Sequence, residues 1–369
     1  MIYLDYSATT KASEKVLKRF NDIALNNFAN ANSRYDIAYD SKKVIDEATN
    51  NILSYFKVPL WNIIYTSGAS EANNTIIKGI CDKYNSKRII TTKLEHSSII
   101  TPLGYLQRKG FKISFVNLDE NGIVDINHLK SLLDEDVVLV TIGYVSSELG
   151  IEQPINEIGK IIHEYNSNII FHTDMTQAVG KIIVDLTNVD CASFSGHKIH
   201  TFKGIGALLM RNDIKITPLI HGGKSTSVYR SGTPQTELID SLSTAISEIN
   251  LDLNYVFNLR SKLIKGLEMY SGIKINSSVK SIPHIVNFSI LGLKSDITQE
   301  YFAKKGIYIS TKTACSSESE KSLAVYELTH DEERSKSSVR VSLALDTKMD
   351  EIDNFLKVLE GLCNEYKIN

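Results

Sequence analysis

A lysine and an aspartate that follow two apolar segments are the residues whose types and spacing most clearly suggest chemistry. Lys198 closes the segment SFSGHK at residues 193–198, directly after an apolar run. Asp174 follows another apolar run, and Gln177 lies three residues further on. A lysine amine can form a Schiff base, and a carboxylate can keep a pyridine ring protonated. Pyridoxal 5′-phosphate (PLP) chemistry needs both groups, so the two motifs together predict a PLP site, although Asp174 alone is equally typical of a helix cap.

Two further segments contain groups suited to a phosphate. Ser195 and His197 lie just before Lys198. The segment at residues 65–74 follows an apolar run, and its Gly68 permits a tight turn into a helix that opens at Ala69 and Ser70. Free N–H groups at a helix N-terminus bind anions, which favours a phosphate site, while an ordinary capped helix is the alternative.

Three other residues are candidates for catalysis or substrate binding. His96 follows the run at residues 88–91, and an imidazole there could stack on a ring and move protons, although a lone histidine is more often structural. Cys315 lies among small polar residues and a nearby lysine, which is typical of a reactive loop thiol. Arg340 carries a guanidinium suited to a carboxylate, or to a surface ion pair.

The bulk composition excludes several classes of protein. The 369 residues are 42% hydrophobic and 23% charged, with a net charge of −2, which is typical of a globular protein with no electrostatic preference for nucleic acid or membranes. The N-terminus does not resemble a signal peptide. Cysteines at positions 81, 191, 315 and 363 show neither a disulfide nor a metal-binding pattern. We therefore expect a cytoplasmic protein with reduced thiols and no bound metal.

Short apolar runs alternate with helical patterns over most of the chain, which favours an α/β fold with a largely parallel seven-stranded sheet flanked by helices. The predicted strands are residues 63–66, 88–91, 112–116, 137–142, 169–172, 191–194 and 207–210. Helical patterns cover residues 40–56 and 156–165.

The pattern changes after about residue 235, where a smaller α+β domain is expected. One long helix is predicted at 236–270, strands at 285–290 and 338–343, and a terminal helix at 350–366. The polar stretch 312–338 is predicted to be a mobile loop. We expect a large cofactor domain at 15–250 and a small domain formed by 1–14 and 251–369, which carries the loop with Cys315.

These motifs, in this order, resemble the cysteine desulfurases of the class V aminotransferase superfamily, which have the fold type I PLP architecture. The likeness covers nearly the whole chain and begins at residues 3–10, YLDYSATT, which are similar to the family's YLDNAATT. The resemblance implies that Lys198 holds PLP as a Schiff base, that Asp174 and Gln177 tune its ring, and that His96 stacks on it. Implied contacts to the rest of the cofactor come from Ala69, Ser70, Ser195, His197, Thr233 of the other subunit of a homodimer, and Ser147 at the ring hydroxyl.

The resemblance also implies the reaction. Arg340 would bind the carboxylate of L-cysteine, and Cys315 would attack the substrate sulfur, leaving L-alanine and a persulfide on Cys315. A sulfur-acceptor protein, either an iron–sulfur scaffold or a tRNA-thiolation enzyme, would receive the sulfur.

Several pocket positions depart from the family pattern. Ser146-Ser147-Glu148 stands where the family has Asn-Asn-Glu, and residues 222–233 lack the family's Gln-Glu-Arg. A selenocysteine lyase or another PLP lyase or aminotransferase is therefore an alternative, which activity that survives Cys315→Ala would favour. A diverged paralogue that binds PLP and handles sulfur without turnover is the non-enzyme alternative.

Overall fold

The computed structural model describes residues 1–311 and 321–369. Its strands are β1 (Ile2–Tyr3), β2 (Asn62–Thr66), β3 (Arg88–Thr91), β4 (Lys112–Phe115), β5 (Val137–Thr141), β6 (Ile170–Asp174), β7 (Cys191–Ser195), β8 (Gly206–Met210), β9 (Ile273–Ile275), β10 (Ile285–Ile290), β11 (Ile307–Tyr308) and β12 (Ser338–Ser342). Its helices are α1 (Glu14–Asn26), α2 (Asp36–Tyr55), α3 (Ala69–Cys81), α4 (Ser97–Arg108), α5 (Ile126–Leu132), α6 (Ile155–Tyr165), α7 (Thr236–Ser247), α8 (Leu253–Leu267), α9 (Ser295–Lys304), α10 (Leu323–Thr329), α11 (Glu332–Ser337) and α12 (Met349–Tyr366). Within these residues, no helix is both long and apolar enough to cross a bilayer.

The large sheet has the order β2-β8-β7-β6-β5-β3-β4. Strand β8 is antiparallel to both of its neighbours, and the other neighbouring pairs are parallel. The prediction of a largely parallel seven-stranded sheet is therefore confirmed. Because parallel strands end at the same edge, the loops after β2, β3, β5, β6 and β7 meet there.

Helices cover both faces of this sheet, as the alternation of side chains along each strand requires. In β2, Ile63 and Tyr65 pack into one hydrophobic cluster with α2, α6 and α7. Ile64 between them packs into a second cluster with α3 and α4. The strands are buried on both faces, which explains their continuous apolar sequences.

A second, smaller core surrounds the antiparallel sheet β12-β10-β9. Its cluster includes buried side chains of α8, α9 and α12, together with Leu4 near the N-terminus. Strand β1 pairs with β11, which ties residues 2–3 to this part of the chain. The predicted boundaries near residues 14 and 250 remain a prediction.

Two sequence predictions in this region were wrong. The long helix at 236–270 is two helices, because α7 ends at Ser247 and Asp252 caps α8 by accepting a hydrogen bond from the Tyr255 N–H. The predicted loop at 312–338 contains α10 and α11, which Ser322 and Asp331 cap through their side-chain oxygens. Residues 312–320 lie outside the described part of the chain.

Candidate active site

A cavity of about 450 Å³ lies where the loops after β2, β3, β5, β6 and β7 meet. Its volume is within the range of about 300–1,000 Å³ that small-molecule sites usually have. The predicted site residues that line it are Ala69, Ser70, His96, Ser147, Asp174, Gln177, Ser195, His197, Lys198 and Arg340. The structure therefore brings ten of the twelve predicted residues together.

Asp174 ends β6, and its carboxylate is held by donors. Asn73 Nδ2 donates to Oδ2 at 2.7 Å, and the Thr176 N–H donates to Oδ1 at 2.9 Å. Gln177 donates through Nε2 to the Ser7 carbonyl at 2.9 Å, while its buried Oε1 has no partner among the described residues. With both oxygens held in place by donors, Asp174 is suited to bond to a cationic ring nitrogen.

Lys198 lies in the single 3-10 turn that follows β7. Its Nζ donates to the carbonyls of Ser7 and Ala8, at 2.5 and 2.6 Å. The neighbouring strands β6 and β7 run parallel, so Lys198 and Asp174 both lie at the carboxyl edge of the sheet. This placement explains why the two motifs belong to one site although 24 positions separate them in the sequence.

A narrow cradle forms between the loop after β2 and the end of β7. Gly68 has φ +153°, and a Cβ there would lie 3.3 Å from Ser195 Oγ. A Cβ on Gly206 would lie 2.7 Å from the Gly68 Cα, so neither position accommodates a side chain. Gly68 precedes α3 and forms no side-chain cap, which leaves the first N–H groups of that helix available to an anion.

His197 lies beside this cradle and is neutral at pH 7. Burial and the nearby Lys198, Lys203 and Lys181 amines lower its pKa to about 4. Its Nδ1 lies 3.1 Å from Thr9 Oγ1. A neutral imidazole can donate one hydrogen bond to a phosphate oxygen.

His96 caps α4 through one of its ring nitrogens. Its Nδ1 accepts the Ser98 N–H at 3.1 Å and lies 2.8 Å from Ser98 Oγ. Burial lowers the pKa of His96 below its usual value, and Lys198 acts in the same direction, while Asp174 and Glu148 oppose it. The imidazole is therefore neutral at pH 7.

Glu95 was not singled out by the sequence analysis, although it lines the same cavity. Its carboxylate accepts the Gly143 N–H at 2.9 Å and Thr92 Oγ1 at 2.7 Å, which joins the loops after β3 and β5. Burial raises the pKa of Glu95 to about 7. The only signal in the sequence was an acidic residue directly before His96. The burial of Glu95 could not be predicted, because it depends on contact with the loop after β5.

Arg340 lies in β12 and reaches the cavity from the smaller sheet. Its Nη2 donates to Asp5 Oδ1 at 2.8 Å, and its Nη1 donates to the Ser147 carbonyl at 2.9 Å. The side chain is buried, and Nε has no partner among the described residues. A buried guanidinium with a free N–H is suited to bind a carboxylate.

Two predicted residues are not part of this cluster. Thr233 is exposed and does not line the cavity. Cys315 lies outside the described residues. The other three cysteines, Cys81, Cys191 and Cys363, are free and buried.

Comparisons with known proteins agree with this architecture. The Aminotransferase class-V family model matches residues 2–355. Cysteine desulfurase IscS of Clostridium botulinum (strain Hall) is 35% identical over 380 residues, which cover 99% of this chain and 94% of that protein. A solved NifS-like protein superposes with a TM-score of 0.92 at 30% identity, covering 98% of this chain and 99% of that one. SspA, solved in complex with cysteine, superposes with a TM-score of 0.83 at 28% identity, covering 93% of this chain and 99% of that one.

The chain belongs to the class V aminotransferase family, whose members use PLP. Within that family it is similar over its whole length to the cysteine desulfurases. The site fits this cofactor: the cradle at Gly68 accepts a phosphate, Asp174 a ring nitrogen, and Lys198 an aldehyde.

Proposed function

We propose that this chain is a PLP-dependent cysteine desulfurase that converts L-cysteine to L-alanine and holds the released sulfur as a persulfide on Cys315. The observation that carries the proposal is the placement of Lys198, Asp174 and Arg340 around one cavity. The full-length similarity to proteins named cysteine desulfurase supports the choice of substrate.

The residues take the roles that their contacts suit. Lys198 holds the cofactor and then accepts the Cα proton of the substrate, Asp174 holds the ring nitrogen, and His96 covers the ring. Ser195, His197 and the start of α3 hold the phosphate. When bound here, PLP supplies a sink for the electron pair released at Cα.

Substrate binding falls to Arg340, which lines the cavity and whose Nη1 and Nη2 each keep a second N–H beside the one donated to Ser147 or Asp5. A substrate carboxylate that binds there must share the guanidinium with Asp5 or displace it. Ser147 offers its carbonyl to Arg340 and a short hydroxyl side chain to the cavity. We infer that Ser147 contacts the ring hydroxyl less closely than a longer amide would.

Cys315 provides the nucleophile in this proposal. Its thiolate forms an S–S bond to the substrate sulfur while the Cβ–S bond breaks, and the electron pair of that bond stays with the carbon skeleton. That skeleton takes up protons and leaves as alanine. The neighbouring Ser310 is anchored to Arg340 by backbone hydrogen bonds of 2.6 and 3.1 Å. The four Cα–Cα steps from Thr311 to Cys315 span at most about 14 Å when the chain is fully extended, which is compatible with access to the cavity.

We further propose a homodimer in which Thr233 of one subunit contacts the phosphate bound by the other. The exposure of Thr233 on its own subunit supports this arrangement. Large exposed apolar side chains, among them Phe28 (74%), Tyr35 (51%) and Ile37 (51%), offer surface for such an interface. A cytoplasmic location and transfer of the sulfur to an iron–sulfur scaffold or a tRNA-thiolation enzyme complete the proposal.

The test is the release of alanine and sulfide from L-cysteine in the presence of a reducing thiol. The wild type and Cys363→Ala should both release them, since Cys363 is a buried thiol in α12. Cys315→Ala should retain the colour of bound PLP and release neither product. Equal alanine production by Cys315→Ala would contradict the proposal and favour a lyase that needs no thiol, such as a selenocysteine lyase.

A further inference from the structure

One buried amide connects several polar groups beneath the cavity. Asn73 lies in the first turns of α3 and is fully buried. Its Nδ2 donates to Asp174 Oδ2 at 2.7 Å and to Ser98 Oγ at 2.8 Å. Its Oδ1 accepts a short hydrogen bond from Ser193 Oγ. Asn73 therefore bonds to three other elements, and the sequence analysis had assigned it no role.

The first branch of this network determines the tautomer of His96. Because an amide nitrogen can only donate, Ser98 Oγ accepts from Asn73 and keeps its own proton for His96 Nδ1 at 2.8 Å. The Ser98 N–H also donates to Nδ1. The proton of the neutral imidazole is therefore on Nε2.

The second branch of the network runs from the Asn73 amide oxygen through Ser193 to the buried His172. His172 is fully buried, and burial lowers its pKa to about 4, so its ring carries a single proton. Its Nδ1 lies 2.9 Å from Thr141 Oγ1, and its Nε2 lies 3.1 Å from Ser193 Oγ. Because the Asp174 carboxylate can only accept, the amide nitrogen of Asn73 faces Asp174, and the amide oxygen accepts from Ser193. Ser193 in turn accepts from His172 Nε2, which leaves Nδ1 to accept from Thr141. The oxygen of Asn73 therefore faces Ser193, and its N–H groups face Asp174 and Ser98.

We propose that Asn73 is a positioning residue whose single amide holds the Asp174 carboxylate at the ring nitrogen of the cofactor and at the same time orients His96 through Ser98. A donor at 2.7 Å fixes the position of the carboxylate oxygen that it contacts. The amide has no charge of its own and so does not compete with the cofactor for Asp174. This inference rests on the cofactor of the proposed function and not on its substrate.

Other titratable groups face the same network from the packed elements. His172 lies on β6, Glu95 and His96 lie between β3 and α4, and Lys198 follows β7. Asp174 acts electrostatically on Glu95, His96 and His172. Glu95 titrates near pH 7, so Glu95→Gln is the background in which the pH dependence is best measured.

The experiment is a pH titration of the visible absorption of the PLP-loaded protein, together with the dissociation constant of PLP. In Asn73→Ala the Asp174 carboxylate loses the donor that orients it against the ring nitrogen, so the positive charge on the ring is less well stabilised. The nitrogen that links Lys198 to the cofactor then keeps its proton up to a higher pH. We expect the pH midpoint of the colour change to rise by about one unit, which corresponds to a tenfold change in the equilibrium. The dissociation constant should rise about tenfold.

Asn74→Ala is the matched control, because Asn74 is the next residue of α3 and, within the described part of the chain, its side chain donates only to the Ser70 carbonyl. Its midpoint should stay within about 0.3 unit of the wild type. If Asn73→Ala does not fold, Asn73→Asp provides the test. Aspartate has nearly the volume of asparagine, and it places a second hydrogen-bond acceptor next to Asp174. Its midpoint should rise further than that of Asn73→Ala.

The proposal is overturned if folded, PLP-loaded Asn73→Ala or Asn73→Asp titrates like the wild type. In that case Asn73 would contribute only to packing. A wild type that takes up no PLP would instead contradict the proposed function, so the two failures are distinguishable.

Discussion

Two parts of the cavity differ in how their charged groups are held. Asp174 belongs to the large sheet, and each of its oxygens accepts a hydrogen bond from a neighbouring donor. Arg340 belongs to the small sheet and bonds to the Asp5 carboxylate and to one backbone carbonyl. The first arrangement is preorganised for a ligand that stays bound, whereas the second includes an anionic partner that a carboxylate ligand can replace.

This difference suggests a division of labour between the two sheets. The groups proposed to hold the cofactor come from loops of the large sheet, which packs on both faces. The guanidinium proposed to hold the substrate is positioned by contacts between residue 5 and β12, which join distant parts of the chain. Variants of the first group should therefore affect cofactor binding, and variants of the second should affect the substrate.

The largest effect is expected from Lys198→Ala. Removing the amine removes the covalent link to PLP, so the visible absorption band of the lysine-linked cofactor should disappear together with the activity. Absorption spectroscopy of the purified variant measures this directly. Lys215→Ala is the control, because Lys215 is exposed and its side chain donates to the Asn212 carbonyl. An unchanged band in Lys198→Ala would exclude Lys198 as the attachment site.

Arg340→Ala should leave the PLP spectrum intact and raise the KM for L-cysteine. The loss of charged hydrogen bonds to a carboxylate predicts a rise of roughly 100-fold. Steady-state kinetics checks this, with Arg108→Ala, an exposed residue in the last turn of α4, as the control. A lower kcat with an unchanged KM would show that Arg340 does not bind the substrate.

His96→Gln should retain PLP and lower kcat by about 100-fold, since general acid–base groups contribute about that much. Because burial lowers the pKa of His96 below 6.5, the wild type should keep its activity at pH 6.5 and lose it as the imidazole gains a proton at lower pH. The variant should lack this acidic limb. A pH–rate profile with the same limb in both proteins would assign the limb to another group.

The smallest expected effect is on the free energy of unfolding, and it comes from Lys181. This lysine is buried, its Nζ has no hydrogen-bond partner among the described residues, and burial lowers its pKa from 10.5 to about 7. Between these values the unfolded chain binds a proton that the folded chain does not, so stability rises with pH across this window. The cost of charging the amine is therefore largest below pH 7.

Lys181→Met should remove that cost. In urea unfolding near pH 6.5 we expect the variant to be more stable by roughly 2–4 kcal/mol, with the difference shrinking towards pH 10. A variant less stable than the wild type at both pH values would show that Lys181 has a partner that stabilises its charge.

Much of the large sheet was predictable from the sequence, because a strand buried on both faces leaves a continuous apolar run. The residues at the ends of those runs, Asp174 and Lys198, could be found from local sequence and the rule that parallel strands end at one edge. Asn73 and Glu95 could not, because their roles depend on contacts with residues far along the chain. Ser193, for example, lies 120 positions from Asn73.

Strands β10 and β12 agree with the predicted runs at 285–290 and 338–343, but the helices in this part of the chain were less predictable, for a related reason. Short helices such as α10 and α11 depend on caps and packing more than on apolar periodicity, and their polar sequences were mistaken for a loop. The split between α7 and α8 depends on the cap at Asp252. Local capping residues, rather than hydrophobic pattern, would have been the useful signal.

The most direct test of the central claim is a single turnover of the PLP-loaded protein with L-cysteine and no reducing thiol, followed by mass spectrometry of its peptides. The account predicts that alanine forms once per active site and that the peptide containing Cys315 becomes heavier by one sulfur atom. Stoichiometric alanine with an unmodified Cys315 peptide would contradict it.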